Sequence, residues 1–325
     1  MNVRELYRHP LFYCKGVKNH ANKKIKTLYH SLRQRNNQGV YAININVAVG
    51  FSAQLNWCLY IFDHCERYNL LPYIVLSSPF YTLSQGDNWF DYYFDNLKLT
   101  EIDKKNVMNG LVKVSSISHI SHIGLPSTNG RQMSLEYAHE LLEKNIRIKD
   151  EIQEYVDSFV NTHFGQKTVL GIHYRGRDKQ LEAKPVSWEF CAKAIHNYLD
   201  TNPQVEALFI SSDEGNFIDW IEKEFKSLEV IYHDDKERGS EGNALHTQPD
   251  LGNNYTKGKE ALINCLLLSR CNALIRTASL LSGWASIFNP SLPVTMLNRP
   301  YLNKLWFPDA LILKKSRSEY LPSQI

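Results

Sequence analysis

A run of charged residues follows directly on an apolar segment near the middle of the chain. Residues 168–174 are nearly all apolar, β-branched or aromatic, the pattern of a strand that is covered on both faces in a parallel sheet. Arg175, Arg177 and Lys179 come next without a polar spacer. In open α/β sheets, ligands bind in the crevice beyond the carboxyl ends of the strands. We therefore expect a site for an anion such as a diphosphate here.

These charges have an alternative use within a solvated turn. Arg177 would then pair with Asp178, and Lys179 with Glu182. Loops at strand ends carry a large share of binding and catalytic residues. The ligand site is the interpretation that we carry forward.

Polar residues also follow two other predicted strands of the second half. Ser212 and Asp213 end one strand, and a carboxylate there accepts hydrogen bonds from ribose hydroxyls or base N–H groups. Thr277, Ala278 and Ser279 open a predicted helix, where small hydroxyl residues bind phosphate. The alternative is that Asp213 and Ser279 only cap their helices.

The second half of the chain alternates strands with helices. This order predicts right-handed βαβ units and a parallel sheet. Strands are predicted over 168–174, 205–211, 228–233, 272–277 and 294–297, and helices over 187–200, 216–226, 258–270 and 279–288. Because parallel strands end at one edge of a sheet, we expect the polar strand ends to converge.

The first half begins its own α/β pattern at residues 41–49, which predict a strand. Gly50 and a segment of helical periodicity follow, so backbone N–H groups and the positive end of a helix meet at one point. Further strands are predicted over 71–77 and 112–117.

Length and periodicity together predict two domains. A chain of 325 residues exceeds the usual single core. Apolar residues repeat at helical spacing over 132–164 and stop at Gly165. We place the boundary there, between residues 1–165 and residues 166–325.

Composition excludes several other classes of function. The net charge of +3 is too small and too dispersed for a nucleic-acid binder. No apolar run is long enough to cross a bilayer, and the chain starts without a signal-peptide pattern. The basic segment 18–26 predicts at most peripheral membrane contact. Six scattered cysteines without a CxxC indicate neither a disulfide framework nor a zinc site. We expect a cytoplasmic protein without a metal.

Four segments, in order, resemble one enzyme group. The His-x-Arg-x-x-Asp-Lys pattern of residues 173–179 resembles the signature of the fucosyltransferase superfamily. This group includes α1,6-fucosyltransferases, nodulation fucosyltransferases and protein O-fucosyltransferases. Residues 50–55 resemble its first-domain glycine loop, 210–214 its Thr-Asp-Asp segment, and 257–279 its helix–strand–Thr-x-Ser close. Residues 80–130 match no part of that pattern.

The resemblance implies an α/β fold of the GT-B type, with two Rossmann-like domains that face each other across a cleft. It further implies inverting, metal-independent transfer without a cofactor, with GDP-fucose as co-substrate held mainly by the second domain. By position, Arg175 would contact the diphosphate, and Glu182 lies within one residue of the carboxylate proposed as base in α1,6 enzymes. The donor-binding positions implied are Gly50, Phe51, Gln54, His173, Arg175, Arg177, Asp178, Lys179, Ser212, Asp213, Asn264, Thr277, Ala278 and Ser279.

Three positions depart from the family pattern. Gly176 stands where many members have a second arginine, and Asn264 where many have an aspartate that reads guanine. Ser52 replaces a family glycine. An amide offers one acceptor in place of a full negative charge, so Asn264 leaves the identity of the base open.

We therefore predict a fucosyltransferase that moves fucose, or a related 6-deoxy sugar, from GDP to a carbohydrate acceptor. Synthesis of bacterial polysaccharide or lipopolysaccharide is the expected setting. Two alternatives remain at this point. One keeps the fold with another donor, such as GDP-mannose or a UDP-sugar, and the other is a non-catalytic protein that binds nucleotide or carbohydrate.

Overall fold

The computed structural model describes residues 39–120, 133–176, 182–234 and 253–315. These residues form two parallel sheets, covered by helices, and one short antiparallel pair of strands. The strands of the two parallel sheets lie on opposite sides of Gly165 in the sequence. The division into residues 1–165 and 166–325 stays a prediction.

The first sheet has three parallel strands in the order β2–β1–β4. They are β1 (Val40–Ile45), β2 (Leu71–Leu76) and β4 (Ser115–Ser116), and helix α1 (Phe51–Tyr68) follows β1. The central strand β1 is buried along almost its whole length, which explains its apolar sequence.

Two predicted strands of this sheet were too long. The strand predicted over 41–49 ends at Ile45, because its partner β2 ends opposite that residue and offers no further ladder. The strand predicted over 112–117 pairs with β1 at only two residues, Ser115 and Ser116.

The remaining elements of the first half connect these strands and lead to the second sheet. They are α2 (Phe90–Tyr93), β3 (Phe94–Asn96), α3 (Glu101–Met108), α4 (Leu135–Asn145), β5 (Ile146–Ile148) and α5 (Asp150–Phe159). Strands β3 and β5 pair antiparallel. The long helical periodicity thus becomes two helices with a short strand between them, and a π-helical turn leads from α5 to Gly165 at a φ of 55°. A positive φ of this size favours glycine.

The second sheet has five parallel strands in the order β10–β9–β6–β7–β8. They are β6 (Val169–Tyr174), β7 (Ala207–Ser212), β8 (Glu229–Tyr232), β9 (Ala273–Arg276) and β10 (Val294–Met296). Strand β6 lies at the centre, and all of its residues are buried. This confirms the interpretation of residues 168–174 as a strand covered on both faces.

Helices cover this sheet between its strands. They are α6 (Trp188–Thr201), α7 (Gly215–Glu224), α8 (Asn254–Ser269) and α9 (Leu280–Phe288), and α10 (Asp309–Lys315) follows the last strand. Ser187 caps α6 as predicted, since its side chain accepts a hydrogen bond from Phe190 N. No helix among the described residues is long and apolar enough to span a membrane.

Helix α8 begins four residues earlier than predicted, and Gly258 lies inside it. The helix extends to Asn254 because the Asn253 side chain caps it and accepts a hydrogen bond from Tyr255 N–H at 2.8 Å. A tertiary contact explains the glycine at position 258. A Cβ at Gly258 would come within 2.3 Å of the Tyr93 hydroxyl. That hydroxyl donates to Tyr255 O at 2.8 Å, so glycine here lets α2 and α8 approach closely.

The segment after β10 returns to the first half of the chain. Asn56 on α1 donates to Phe307 O and accepts from Trp284 Nε1 on α9, both at 2.7 Å. All three groups are buried. These bonds join residues more than 200 positions apart and hold the start of α1 against the second sheet's helices.

Candidate active site

A cavity of about 560 Å³ opens between the carboxyl edge of the second sheet and the start of α1. Its C-terminal wall is formed by residues of the second half, at 173–175, 211–213, 257–264 and 278–281. Its N-terminal wall is formed by residues 48–53, Trp57 and Tyr81, and Glu182, Pro300, Lys304, Trp306 and Asp309 complete the lining. We call the partly or fully exposed members of the last group, Glu182, Lys304 and Trp306, the mouth of the cavity. The predicted site residues that line it are Gly50, Phe51, His173, Arg175, Glu182, Ser212, Asp213, Asn264, Ala278 and Ser279.

The parallel register explains why the C-terminal wall assembles. His173 on β6 is paired with Ser211 on β7 and with Arg276 on β9. The residues that follow in each strand therefore leave the sheet at one level and on one edge. The expected convergence of polar strand ends is what the structure shows.

Arg175 is anchored through its backbone. Its N–H donates to Thr277 Oγ1 at 2.9 Å, and Thr277 N–H donates to His173 O at 3.0 Å. The Arg175 Nε lies 3.8 Å from Asp213 Oδ2, an ion pair longer than a hydrogen bond. Both side chains are about one-fifth exposed. A guanidinium thus faces the cavity from a rigid strand end, with a carboxylate beside it.

Ser279 marks the start of α9 on the same wall. Its side chain is nearly fully buried, and no described group hydrogen-bonds its Oγ. The Ala278 N–H donates to Asn298 Oδ1 at 2.7 Å, and Asn298 Nδ2 donates to Lys184 O at 2.7 Å. The turn before α9 is therefore held in place, and a hydroxyl donor at the positive end of a helix lines the cavity.

Helix α8 presents a polar stripe to the cavity. Lys257, Glu260, Ala261 and Asn264 all line it, at the spacing of one helix face. Lys257 and Glu260 are more than nine-tenths buried. The Asn264 Nδ2 donates to Glu260 O at 3.0 Å, and this bond fixes the orientation of the amide and so the position of its Oδ1 acceptor. A carboxylate and an amide oxygen therefore stand one turn apart.

The N-terminal wall uses aromatic rings and backbone groups. Phe51 N–H, in the first turn of α1, donates to the Tyr81 hydroxyl at 2.9 Å. Gln54 does not line the cavity. Its Nε2 donates to Val49 O at 2.9 Å, and its Oε1 accepts from Trp89 Nε1 at 3.3 Å. Gln54 thus fixes the turn into α1 from behind.

Gly176 leaves no room for a side chain. A Cβ there would lie 2.5 Å from Glu214 Oε1 and 2.9 Å from the Tyr174 hydroxyl. The Tyr174 hydroxyl is itself held by Val186 O at 2.6 Å. An arginine at this position, as in the family pattern, requires another arrangement of Glu214.

The mouth of the cavity combines the loop after β6 with the C-terminal segment. Tyr301 N–H donates to Glu182 O at 2.7 Å, which ties the two segments together. The buried Asp309 also lines the cavity and pairs with Arg276, whose guanidinium is fully buried and also donates to Ser279 O at 3.0 Å.

Some predicted site residues are not at the cavity. Thr277 is buried and serves the β6–β9 connection, and Gln54 supports the N-terminal wall. Arg177, Asp178 and Lys179 lie outside the described residues. Within the described part of the chain, no three His, Cys, Asp or Glu side chains converge as metal ligands.

Several lining residues escaped the sequence analysis. Lys257 and Glu260 carried a usable signal, since they share one helix face with Asn264. Tyr81, Trp306 and Asp309 carried none, because only the return of distant segments to the cavity identifies them.

A comparison with protein families decides the relationship. The model of the family Nodulation protein Z (NodZ) matches residues 135–302, slightly more than half of the chain. The chain belongs to the NodZ family. It is accordingly a glycosyltransferase of the fucosyltransferase superfamily, and the expected relationship is confirmed.

Three solved structures are similar to the chain, and the first of them agrees with this assignment at the level of the fold. A NodZ α-1,6-fucosyltransferase co-crystallised with GDP is 18% identical, covers 75% of this chain and 91% of its own, and gives a TM-score of 0.50. POFUT1 in complex with GDP-fucose is 11% identical over 79% of this chain and 97% of its own, with a TM-score of 0.46. Arabidopsis thaliana FUT1, as a variant in complex with GDP, is 11% identical over 90% and 80%, with a TM-score of 0.49.

The expected GT-B fold of this NodZ-family chain is therefore confirmed, with α/β halves on either side of a cleft. No curated protein sequence matches the chain.

Proposed function

We propose that this NodZ-family protein transfers fucose, or a related 6-deoxy sugar, from GDP-fucose to a carbohydrate acceptor. One observation carries the proposal: the Arg175 guanidinium, the Ser279 hydroxyl and the start of α9 line the same cavity. Each is a group that binds phosphate. The GDP complex of a NodZ α-1,6-fucosyltransferase with this fold supports the choice of nucleotide.

The reaction we propose inverts the anomeric carbon. The acceptor oxygen bonds to that carbon while the bond to the β-phosphate oxygen breaks, and the electron pair stays on the diphosphate. The growing negative charge falls where Arg175 and the positive end of α9 stand, and fixed charges of this kind need no reorganisation. Glu182 at the mouth takes the proton of the acceptor hydroxyl.

These fixed cationic groups support transfer without a metal. Arg175 binds phosphate through a planar fork, and Lys257 adds a second cation on the same wall. Transfer in the presence of EDTA at the untreated rate is the expected result. Loss of transfer with EDTA and its recovery with Mg²⁺ would contradict this part of the proposal.

The stripe on α8 supports guanine as the base. Guanine presents two neighbouring N–H donors, N1–H and the exocyclic amino group, and the Asn264 amide oxygen and Glu260 carboxylate are acceptors one turn apart. Calorimetric titration with GDP, IDP, ADP and UDP tests this, since IDP lacks only the amino group. We expect GDP to bind most tightly of the four nucleotides. Glu260→Gln should reduce the difference in affinity between GDP and IDP.

The direct test of the function is transfer itself. Incubation with GDP-fucose and a panel of oligosaccharides should release GDP and yield a fucosylated product, and the product's anomeric configuration reports inversion. We propose that residues 166–325 hold the donor, with Arg177, Asp178 and Lys179 among the donor contacts, and that residues 1–165 form the acceptor side. Bacterial polysaccharide or lipopolysaccharide synthesis is the proposed setting, which rests on the family alone until the acceptor is identified.

A cytoplasmic location, with at most peripheral membrane contact, is part of the same proposal. The described cysteines are free and buried thiols, which suits a reducing compartment. Fractionation of the expressing cell into soluble and membrane fractions would test it.

A second candidate keeps the fold and changes the donor. It is motivated by Asn264, because an amide there offers one acceptor and lacks the full negative charge of a carboxylate. Tighter binding of UDP than of GDP, or turnover of GDP-mannose in preference to GDP-fucose, would establish that candidate. Saturable GDP binding without any transfer or donor hydrolysis would instead indicate a binding protein.

A further inference from the structure

Tyr81 belongs to a segment that the sequence analysis could not interpret, yet it lines the cavity. It follows β2 on the N-terminal wall, and its side chain is 3% exposed. Its ring packs edge-on against Phe51 and beside Trp89, at centroid distances of 5.6 and 5.4 Å. The phenol is therefore held rigidly, with its hydroxyl at the start of α1.

The Tyr81 hydroxyl accepts one hydrogen bond in the structure and can still donate one. Its oxygen accepts from Phe51 N–H at 2.9 Å. Because a backbone N–H can only donate, the hydroxyl hydrogen is available for another acceptor. None of the described residues accepts it. A buried donor thus lines the cavity without an acceptor in the described part of the protein.

The electrostatics of this hydroxyl favour a neutral phenol close to Arg175. Burial raises the pKa of Tyr81 well above its ordinary value, and the Phe51 N–H and the charge of Arg175 oppose that rise only in part. The proton therefore stays on the oxygen at neutral pH. Both Tyr81 and Arg175 line the same cavity.

We propose that the Tyr81 O–H donates a hydrogen bond to a β-phosphate oxygen of the nucleotide sugar and is a catalytic residue of the transfer. It would stabilise the leaving diphosphate from the N-terminal wall, opposite Arg175. When the anomeric C–O bond breaks, its electron pair goes to the β-phosphate, the acceptor's proton goes to Glu182, and Tyr81 keeps its own proton. This inference rests on the proposed function.

The experiment compares two variants that each remove one buried hydroxyl from the same aromatic cluster. Tyr81→Phe keeps the ring and deletes the donor. Tyr93→Phe is the matched control, because its hydroxyl donates to Tyr255 O and does not line the cavity. Both are titrated calorimetrically with GDP and GMP, since GMP lacks the β-phosphate.

We expect Tyr81→Phe to weaken GDP binding by about tenfold or more, the usual loss for a hydrogen bond to a charged group, and to leave GMP binding unchanged. Tyr93→Phe should change neither affinity. With GDP-fucose, Tyr81→Phe should lower kcat by about 10²-fold, as for a lost transition-state donor, and should also raise KM, because the bond to the β-phosphate is already present in the bound donor.

Two results would overturn the inference: GDP binding by Tyr81→Phe at the wild-type affinity, or equal losses for GDP and GMP. The second would mean that the hydroxyl only supports the turn into α1, and a matching fall in Tm would accompany it. Failure of the wild-type protein to bind GDP would instead overturn the proposed function, so the two failures are distinguishable.

Discussion

The two walls of the cavity are built from different kinds of groups. The C-terminal wall presents side-chain charges, among them Arg175, Asp213, Lys257 and Glu260, from strand ends and a helix face. The N-terminal wall presents the turn into α1, small and apolar side chains, and the aromatic groups Phe51, Trp57 and Tyr81. The charged side chains are concentrated on the C-terminal wall, whereas the N-terminal wall consists of apolar surface and uncharged hydrogen-bond donors.

This difference separates two tasks. A nucleotide diphosphate needs fixed positive groups, and parallel strands carry them at one rigid edge. The opposite wall contributes groups that complete the site only when the two halves are held together. The contacts of Asn56 with Phe307 and Trp284 provide that connection. The predictions below test whether the division between the walls is real.

The largest effect is expected at the mouth, between the walls. Glu182→Gln removes the base but keeps the shape of the side chain, so kcat should fall by about 10²–10⁴-fold. GDP affinity should be unchanged, because we propose that the Glu182 side chain contacts the acceptor hydroxyl and not the nucleotide. Glu189→Gln, an exposed position on α6, is the control. Normal turnover in Glu182→Gln would remove it from the mechanism.

The next effect tests the charged wall. Arg175→Ala should lower kcat/KM with GDP-fucose by about 10²–10³-fold. The kcat/KM of Arg175→Lys should lie between those of the wild-type protein and Arg175→Ala, because lysine keeps the charge and loses the planar fork. The exposed Arg270, which pairs with Asp157 away from the cavity, serves as the control for loss of a positive charge. Wild-type kinetics in both Arg175 variants would show that the diphosphate lies elsewhere.

Two glycines, Gly176 after β6 and Gly50 before α1, differ in the space around them. Gly176→Ala places a Cβ 2.5 Å from Glu214 Oε1, whereas a Cβ at Gly50 meets nothing within 4 Å. Overpacking of this kind costs about 1–3 kcal/mol. Thermal unfolding should therefore show a lower Tm for Gly176→Ala and an unchanged Tm for Gly50→Ala. Equal Tm values would mean that the Glu214 side chain moves away at no cost.

The last comparison tests the connection between the halves, through stability and not through turnover. Asn56→Ala leaves the buried Trp284 Nε1 and Phe307 O without their bonds, at a cost of about 1–3 kcal/mol each before any relaxation or entry of water. The midpoint of denaturant unfolding should fall, while GDP binding to the charged wall persists. Asn197→Ala, at an exposed position of α6, should leave the midpoint unchanged. Loss of GDP binding in Asn56→Ala would argue against independent walls.

Much of the charged wall could be predicted from the sequence. The apolar run 168–174 and the alternation after it already imply a parallel sheet, and such a sheet brings Arg175, Asp213 and Ser279 to one edge. The spacing of helix α8 even places Glu260 beside Asn264. These inferences work because they use short periods and the fixed geometry of parallel strands.

The N-terminal wall could not be predicted in the same way. Gln54 matched the family pattern, yet Trp89 and Val49 engage its side chain behind the wall. Tyr81 and Trp89 lie in a segment without a usable pattern, and their positions follow from packing on Phe51. The close approach of Tyr93 to Gly258 inside α8 likewise depends on packing between distant segments.

By itself, the sequence determined the order of strands and helices in the second half, the burial of β6 and the nature of the charged edge, because hydrophobic period and residue type act locally. Only the tertiary structure decided which residue faces Arg175, why a side chain at position 176 would meet Glu214 and Tyr174, and how Asp309 and Arg276 pair in the interior. Those contacts join residues far apart in the chain, and each depends on packing geometry that no local pattern records.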